Sequence, residues 1–396
     1  MLQSPTASSV LLPATLLQLI AVSLMAHIAL AGARITTSLY ALSLHASEFT
    51  IGTLIALFAL FPMLLAVHAG RLIDRIGIRR PMLAGCLSIA LGCMLAGAIG
   101  SLVVLYLATM LIGTGFMVIQ IAAQHTVGAM STDAQRASNF SKLALGFSIS
   151  GLCGPVLAGF LIDHTRHAIA YLVFGAFGVC SLVLIAYGEL RRLASAPQKE
   201  ETPPGSALDL LRNAEMRSIY CIGTLLSSAW DLFTFVLPIH ASHLGFSAST
   251  IGLILGCFSA ATFAVRLAMP RISRTLSEWQ VLTAALILAV GCYAVFPLMH
   301  HVGSITAVAM LLGMAVGSSQ PNMLALLHHS SPPGREAEAV GMRVTIGNAS
   351  QVLLPLAFGG AGTALGLQVV FWGMSAMIGA GIPAAWRRAC RRSMQI

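Results

Sequence analysis

Two ionisable side chains, Arg34 and Asp231, lie deep inside otherwise apolar stretches of this 396-residue chain. At the centre of a bilayer such a charge costs about 2.5–3.5 kcal/mol, so it usually faces a polar interior and marks an ion or substrate pathway. Both side chains are candidates for contact with substrate. Asp231 could also bind and release a proton, and Arg34 could act as a counter-charge. His27 lies seven residues before Arg34, on nearly the same helical face. It is an alternative proton relay, because imidazole titrates near neutral pH.

Uncharged polar side chains recur in the same kind of stretch. They form a second set of candidates for contact with a small-molecule substrate: Gln120, Gln124, Gln320 and Asn348. Each could instead bond neighbouring helices together. Two further alternatives stay open: Arg34 could extend towards the outer membrane surface, and Asp231 could cap Arg34 or a backbone break near Pro238.

The stretches that carry these residues have the composition of membrane-spanning helices. The chain is 57% hydrophobic and 9% charged, with a mean hydropathy of +0.87, whereas soluble domains carry roughly 25% charged residues. About 20 apolar residues span a bilayer as a helix, in which every backbone group is paired. We predict an all-α membrane protein with twelve transmembrane helices at 13–43, 49–69, 81–99, 101–127, 139–162, 168–189, 217–241, 248–268, 279–299, 303–327, 341–363 and 366–386.

The basic residues predict the orientation. Nearly all of the 22 lysines and arginines fall on one side of the twelve spans, which places both termini in the cytoplasm, at a bacterial inner membrane. Basic loops facing anionic lipid explain the net charge of +9 without nucleic acid. No phosphate-binding loop, metal-ligand cluster or catalytic triad stands out, so we predict no cofactor, no metal site and no enzymatic activity.

The chain divides into two related halves. The charged, proline-containing stretch 190–216 predicts a cytoplasmic linker between an N-terminal bundle, 1–189, and a C-terminal bundle, 217–396. "MLIGTGFMVIQ" resembles "MLLGMAVGSSQ" at an offset of 200, as do two "TIG" triplets, whereas "LHAS" pairs with "IHAS" at an offset of 195. These matches predict two pseudo-symmetric six-helix bundles, an architecture of many secondary transporters.

One short basic segment, "GRLIDRIGIRR", follows the second span. It matches the pattern G-x-x-x-D-R-x-G-x-R-R, and the chain therefore resembles the major facilitator superfamily over its whole length. The resemblance implies a conformational latch formed by Gly70, Asp74, Arg75, Gly77, Arg79 and Arg80. Elementary geometry adds that Gly70 allows close helix approach and that Gly77 suits a tight turn.

Two other signatures of the family match less completely. Gly154, Pro155 and Gly159 in span five resemble the glycine- and proline-rich helix of its antiporters. In span four, Thr109 occupies the position where proton antiporters of the family often carry an arginine. Antiport is therefore only suggested by these signatures.

These observations favour a secondary transporter that works by alternating access as a monomer. We expect proton-coupled efflux of a small amphipathic compound or metabolite, with Asp231 or His27 as the coupling group. The alternatives are an importer of a small organic anion, with Arg34 as counter-charge, and a non-transporting membrane sensor.

Overall fold

The computed structural model describes residues 13–130, 133–192, 211–331 and 336–393, and these ranges are almost entirely helical, with no strand. The larger part of the predicted linker, 193–210, lies outside them. The helices are α1 Pro13–Ser43, α2 Glu48–Ile76, α3 Arg79–Ala98, α4 Leu102–Met130, α5 Asp133–His164, α6 His167–Tyr187, α7 Ala214–His243, α8 Ala248–Ile272, α9 Glu278–Val295, α10 Val302–Ser330, α11 Glu336–Leu365, α12 Leu367–Gly379 and α13 Ile382–Ser393.

The predicted all-α membrane fold is confirmed. Within the described ranges, eleven segments are long and apolar enough to cross a membrane, counting the stretch Leu367–Cys390 of α12 and α13 as one. The predicted eleventh span corresponds to α11, which is not among them. Its polar side chains, including Asn348 and Gln351, lower its hydropathy.

Helix boundaries differ from the prediction where charged residues occur. The segment read as a loop over 70–80 is mostly helical, because α2 continues to Ile76 and α3 begins at Arg79. The eleventh predicted span starts at residue 341, whereas α11 begins at Glu336. A helix can continue beyond the hydrocarbon core because its backbone N–H and C=O groups remain hydrogen-bonded to each other. The end of an apolar run therefore marks the edge of the membrane rather than the end of the helix.

The last predicted span, 366–386, is not one helix. It breaks at Ala380 and Gly381 into α12 and α13. The N–H of Gly381 bonds to the carbonyl of Ile378 at 2.9 Å, a tighter turn than that of an α-helix.

The helices group into two compact units. Unit 1 contains Met1–Thr36 and Phe61–Glu200, and unit 2 contains Thr37–Leu60 and Glu201–Ile396. Both α1 and α2 therefore change unit partway along their length. In α2 the change occurs beside Pro62, which lacks an N–H and leaves the carbonyl four residues earlier without its helical donor.

Small residues set the closest helix pairs inside each unit. In unit 1, a Cβ added at Gly85 would lie 2.7 Å from the carbonyl oxygen of Gly115, so α3 and α4 touch through their backbones. In unit 2, a Cβ at Gly317 would lie 2.8 Å from the Cα of Thr262, and α10 lies equally close to α8. Such close contacts replace the hydrophobic driving force that helices lack in lipid.

The turn after α1 repeats in the turn after α7. Ala46 N–H bonds to the carbonyl of Ala41 at 3.0 Å, and Phe246 N–H bonds to that of Ala241 at 3.0 Å. The Oγ atoms of Ser47 and Ser247 then accept from the N–H three residues later, each at 3.2 Å. These turns coincide at an offset of 200, so the "HAS" alignment at 195 was wrong. With the offset of 200, Asp231 corresponds in sequence to Ala31, which lies about one turn before Arg34.

Each half of the chain joins its last helical segment to its first helix. In unit 1, Gln18 of α1 donates to the carbonyl of Leu184 and accepts at 3.0 Å from the N–H of Leu190, after α6. In unit 2, Nη2 of Arg388 in α13 donates to the carbonyl of Ala214 at the start of α7, at 2.6 Å.

Candidate functional site

A polar pair inside unit 1 joins α1 to α5. Nδ1 of His27 lies 2.5 Å from Oγ of Ser150. The hydroxyl of Ser150 also donates to the backbone carbonyls of Gly146 and Phe147, each at 3.0 Å. Because a hydroxyl has one proton, Ser150 accepts from a protonated Nδ1 whenever it donates to the backbone. Nε2 of His27 is then the acceptor nitrogen.

Aromatic rings surround this pair. The imidazole centroid of His27 lies 5.1 Å from the ring of Phe116 in α4 and 5.3 Å from that of Phe147 in α5. The two phenyl rings also meet edge to face at 6.2 Å. His27 therefore combines one hydrogen-bonded nitrogen with two apolar walls, an environment suited to a small amphipathic ligand.

The approach of α5 to α1 depends on glycine. A Cβ added at Gly154 would lie 2.8 Å from the Cβ of Ala31 and 3.0 Å from the backbone nitrogen of Gly32. This contact lies one turn from Ser150 and holds its hydroxyl within reach of His27. Gly154 therefore also positions the polar pair, a link to His27 that the sequence alone does not show.

Arg34 lies half-buried on α1, one residue past the buried Ala33, and is close enough to interact electrostatically with His27. Next to it, Gly32 packs against the ring of Phe174 in α6, with no room for a side chain. Arg34 and His27 therefore lie near each other within unit 1, and their roles stay predictions. Asp231 belongs to unit 2, so the predicted relation between Arg34 and Asp231 stays a prediction.

Polar residues of α4 continue the stripe that begins at Phe116. Gln120 and Gln124 follow at four-residue spacing, which places all three on one face of the helix. Gln120 is half-buried and Gln124 is exposed. The stripe leads from the aromatic wall around His27 towards the end of α4, and both amides are available to a ligand there.

Asp231 lies buried in α7 of unit 2, with 6% of its surface exposed. Its backbone carbonyl accepts from the hydroxyl of Thr234 at 3.0 Å. The buried phenol of Tyr293 in α9 donates to the carbonyl of Ala229 at 2.5 Å and interacts electrostatically with Asp231. Aromatic packing lies next to it, with Phe233 4.7 Å from Phe258 between ring centroids. Asp231 is thus a buried acid of α7, and its depth in the membrane stays a prediction.

Gln320 was predicted to contact substrate, and the structure gives it a protein partner. Its Oε1 accepts from Nη2 of Arg266 in α8 at 2.8 Å, and Nε of Arg266 donates to the carbonyl of Gly317 at 3.4 Å. One turn earlier, the hydroxyl of Thr262 donates to the carbonyl of Gly313 at 3.0 Å. Gln320 thus orients the guanidinium of Arg266. Its exposed amide N–H groups are still available to a ligand.

Asn348 is half-buried in α11, five residues after Arg343. Nε of Arg343 is buried and has no hydrogen-bond partner in the described part of the chain. An unsatisfied charged donor is costly to bury, so Arg343 belongs with the candidate binding residues of unit 2.

The latch motif is divided among two helices and one turn. Gly70, Asp74 and Arg75 lie in α2, Gly77 forms the turn with φ of +84°, and Arg79 and Arg80 open α3. The tight turn predicted at Gly77 is confirmed. Gly70 was wrongly expected to permit close packing, because a Cβ there would meet no described atom within 4 Å. The side chain of Asp74 lies outside what the structure describes.

The arginines of the motif differ in their surroundings. Arg75 and Arg80 are exposed, whereas Arg79 is half-buried. Nη2 of Arg79 lies 3.5 Å from the carbonyl of Ala186, near the end of α6, where the helix dipole favours a cation. Arg79 therefore has a packing role inside unit 1 in addition to any role in a latch.

A close contact within unit 2 joins the first half of α2 to the last half of α11. A Cβ at Gly52 would meet the carbonyl of Pro355, and one at Gly359 would lie 2.8 Å from the carbonyl of Glu48. The backbones of the two helices therefore touch near the start of α2, far along the helix from Arg75.

Comparisons with known proteins bear on the family and the fold. A family model described as Major Facilitator Superfamily matches residues 19–335 and 219–393. The chain is 22% identical over 321 residues to the class B tetracycline resistance protein of Escherichia coli, covering 78% of this chain and 77% of that one. It is 24% identical over 315 residues to multidrug resistance protein 1 of Bacillus subtilis (strain 168), covering 77% and 79%.

Solved structures share the fold at lower identity. A bacterial homolog of the human lysosomal transporter Spinster, in an inward-facing and occupied conformation, superposes with a TM-score of 0.76 at 13% identity, covering 95% of this chain and 96% of that one. A POT family transporter in complex with 5-aminolevulinic acid gives 0.79 at 13% identity, with the same coverage.

Proposed function

The chain belongs to the Major Facilitator Superfamily, and we propose that it couples proton movement to the efflux of a small amphipathic compound. Family and fold are those of membrane transporters that bind small molecules. The observation that carries the finer proposal is the burial of Asp231 in α7 at 6% exposure, beside the Tyr293 phenol and a packed aromatic cluster. A proton-coupled carrier needs a group that exchanges a proton as its surroundings change, and Asp231 has the chemistry to do so.

The candidate binding residues of each unit support an amphipathic ligand. In unit 1, His27 presents an imidazole between Phe116 and Phe147, and the stripe of α4 adds two amides. In unit 2, Gln320 and Asn348 supply amides and Arg266 a cation. Few hydrogen-bonding groups among many apolar ones suit an apolar solute with one or two polar functions. The names of the tetracycline and multidrug resistance relatives point to the same class.

The proposal includes the organisation expected from the sequence: bundles 1–189 and 217–396, a monomer, an inner membrane and cytoplasmic termini. It also includes a latch at Asp74 and Arg75, and His27 as the second candidate for the proton.

Purified protein in vesicles with an imposed pH gradient provides the test. A thermal-shift screen of amphipathic compounds, tetracycline among them, first selects a ligand that raises the melting temperature. The selected ligand should then accumulate in parent vesicles only when the gradient is present. Equal accumulation with and without the gradient overturns the proton coupling, and accumulation no greater than in empty vesicles overturns transport of that ligand.

Import of a small organic anion is a second candidate, and one observation favours it. Nε of Arg343 is buried without a partner among the described residues, and a carboxylate would satisfy it. Uptake of labelled carboxylates by whole cells tests this alternative, and uptake equal to that of cells lacking the protein excludes it.

A further inference from the structure

The final helix, α13, leaves part of its surface unpacked. Its buried positions are Ala385 and Ala389, one turn apart. Trp386 and Cys390, also one turn apart, are exposed, and so is Arg387. At 100° per residue these form three adjacent stripes. Two small residues face the protein, an apolar stripe lies next to them, and a basic stripe begins at Arg387.

Helix length places these stripes at the edge of the hydrocarbon. With its 13 residues, α12 is about 20 Å long at 1.5 Å per residue, whereas the hydrocarbon core is about 30 Å thick. The missing length is supplied by the start of α13, up to the neighbourhood of Trp386. Tryptophan is enriched at that depth because its ring is apolar and its N–H is polar. Arg387 and the residues after it then lie at the level of the lipid headgroups.

The two described arginines of α13 have different surroundings. Nη2 of Arg388 bonds to the carbonyl of Ala214 at 2.6 Å, and its guanidinium lies 5.4 Å from the ring centroid of Trp279. Arg388 thus fixes α13 to α7 and α9. Among the described residues, Arg387 forms one hydrogen bond, in which its Nε–H donates to the carbonyl of Pro383 at 3.2 Å. Its four Nη hydrogens have no hydrogen-bond acceptor among the described residues, and its side chain is exposed.

The charges around Arg387 are mostly positive. The sequence of α13 contains four arginines and no acid, and arginine recurs one turn after Arg387, at position 391. The helices packed against α13 begin with one acid each, Glu215 in α7 and Glu278 in α9. Both acids are half-buried, whereas Arg387 is exposed. The exposed charge of this surface is therefore cationic.

We propose that α13 binds the headgroup of an anionic phospholipid, with Arg387 on the phosphate and Trp386 against the upper acyl chain. The planar guanidinium presents parallel N–H donors that fit phosphate oxygens. Juxtamembrane basic residues attract anionic lipid in the leaflet they face. This inference does not depend on the substrate or on proton coupling.

The test uses the full chain in a neutral detergent, with phosphatidylglycerol or phosphatidylcholine added in equal amounts. Phosphatidylglycerol should raise the melting temperature by several degrees more than phosphatidylcholine does. In Arg387→Gln that difference should fall by at least half, and in Arg387→Lys it should be partly kept. Arg166→Gln, which changes an exposed arginine preceding α6, should keep the full difference.

Three results would overturn the proposal. These are equal stabilisation by both lipids, an unchanged difference in Arg387→Gln, and the same stabilisation by inorganic phosphate at equal concentration, which would indicate a free anion. A second measurement covers the case in which Arg387→Gln does not fold. Brominated phosphatidylglycerol should quench parent fluorescence more strongly than it quenches Trp386→Phe, and equal quenching contradicts the site.

Discussion

The hydroxyl of Thr363 in α11 accepts a hydrogen bond of 3.0 Å from the backbone N–H of Phe49 in the first turn of α2. The same hydroxyl donates to the carbonyl of Gly359 at 2.9 Å. It therefore satisfies one of the N–H groups that the start of every helix leaves unpaired. Because the two backbones also touch at Gly52 and Pro355, the first part of α2 packs tightly against α11 within unit 2.

The first prediction concerns this contact. In Gly52→Ala the new methyl group meets the Pro355 carbonyl, so the two helices should separate. Ile55, one turn later and 3% exposed, should then become accessible. In a background without native cysteines, Ile55→Cys should react with a membrane-impermeant maleimide several-fold faster when Gly52→Ala is present.

Gly360→Ala is the matched control, because its methyl group would lie an ordinary 3.7 Å from the ring of Phe49. It should leave the rate of labelling unchanged. Equal rates in Gly52→Ala and the parent would show that the contact does not keep this face closed.

The second prediction concerns the proposed coupling group. Asp231→Asn replaces the carboxylate by an amide of nearly the same shape that does not titrate near neutral pH. The variant should still bind substrate and exchange it across vesicles without a gradient, but should lose accumulation driven by a pH gradient. Asp163→Asn, which changes an exposed acid near the end of α5, should behave like the parent. If Asp231→Asn concentrates substrate as well as the parent does, Asp231 is not the coupling residue.

The third prediction concerns the polar pair of unit 1. Ser150→Ala leaves Nδ1 of His27 without its partner, and an unsatisfied buried donor costs about 1–3 kcal/mol. We expect a clear loss of thermal stability. Ser148→Ala is the control, because its hydroxyl bonds only to a carbonyl of its own helix at 3.2 Å. With His27→Gln, a double-mutant cycle should show coupling between positions 27 and 150, and strictly additive effects would argue against the pair.

The fourth prediction separates two roles of Gln320. Gln320→Leu removes the acceptor that holds Arg266 and should lower stability by about 1 kcal/mol, a typical value for one hydrogen bond. Gln320→Glu keeps an acceptor and should retain stability. Unfolding of the two purified variants gives the comparison. If both variants are as stable as the parent but bind substrate less tightly, Gln320 acts on the ligand rather than on Arg266.

Much of the fold follows from the sequence because hydropathy over about 20 residues reports membrane crossing directly. Helix ends are less predictable, since the apolar run ends before Arg71 whereas α2 continues to Ile76. The break at Gly381 gave no hydropathy signal, because the residues around it are apolar or small.

The candidate site was only partly predictable for a different reason. A charge in an apolar stretch identifies Arg34 and Asp231 without any knowledge of their neighbours. The hydrogen-bond partners of such residues are not evident from the sequence, because Ser150 lies 123 residues from His27 and Gln320 lies 54 residues from Arg266. Such pairs depend on which helices touch, and close approach at Gly154 and Gly317 determines that.

The bonds of Gln18 and Arg388 bear on how the protein can be assembled. Each bond returns the end of a half to its own first helix, at Leu184 and Leu190 in one case and at Ala214 in the other. The linker between the halves is therefore not needed for either half to join its last helical segment to its first helix. A gene divided within the linker should therefore yield two polypeptides that assemble when made together. Neither fragment should fold stably when it is made alone, because residues 37–60 of the first fragment pack with the second fragment.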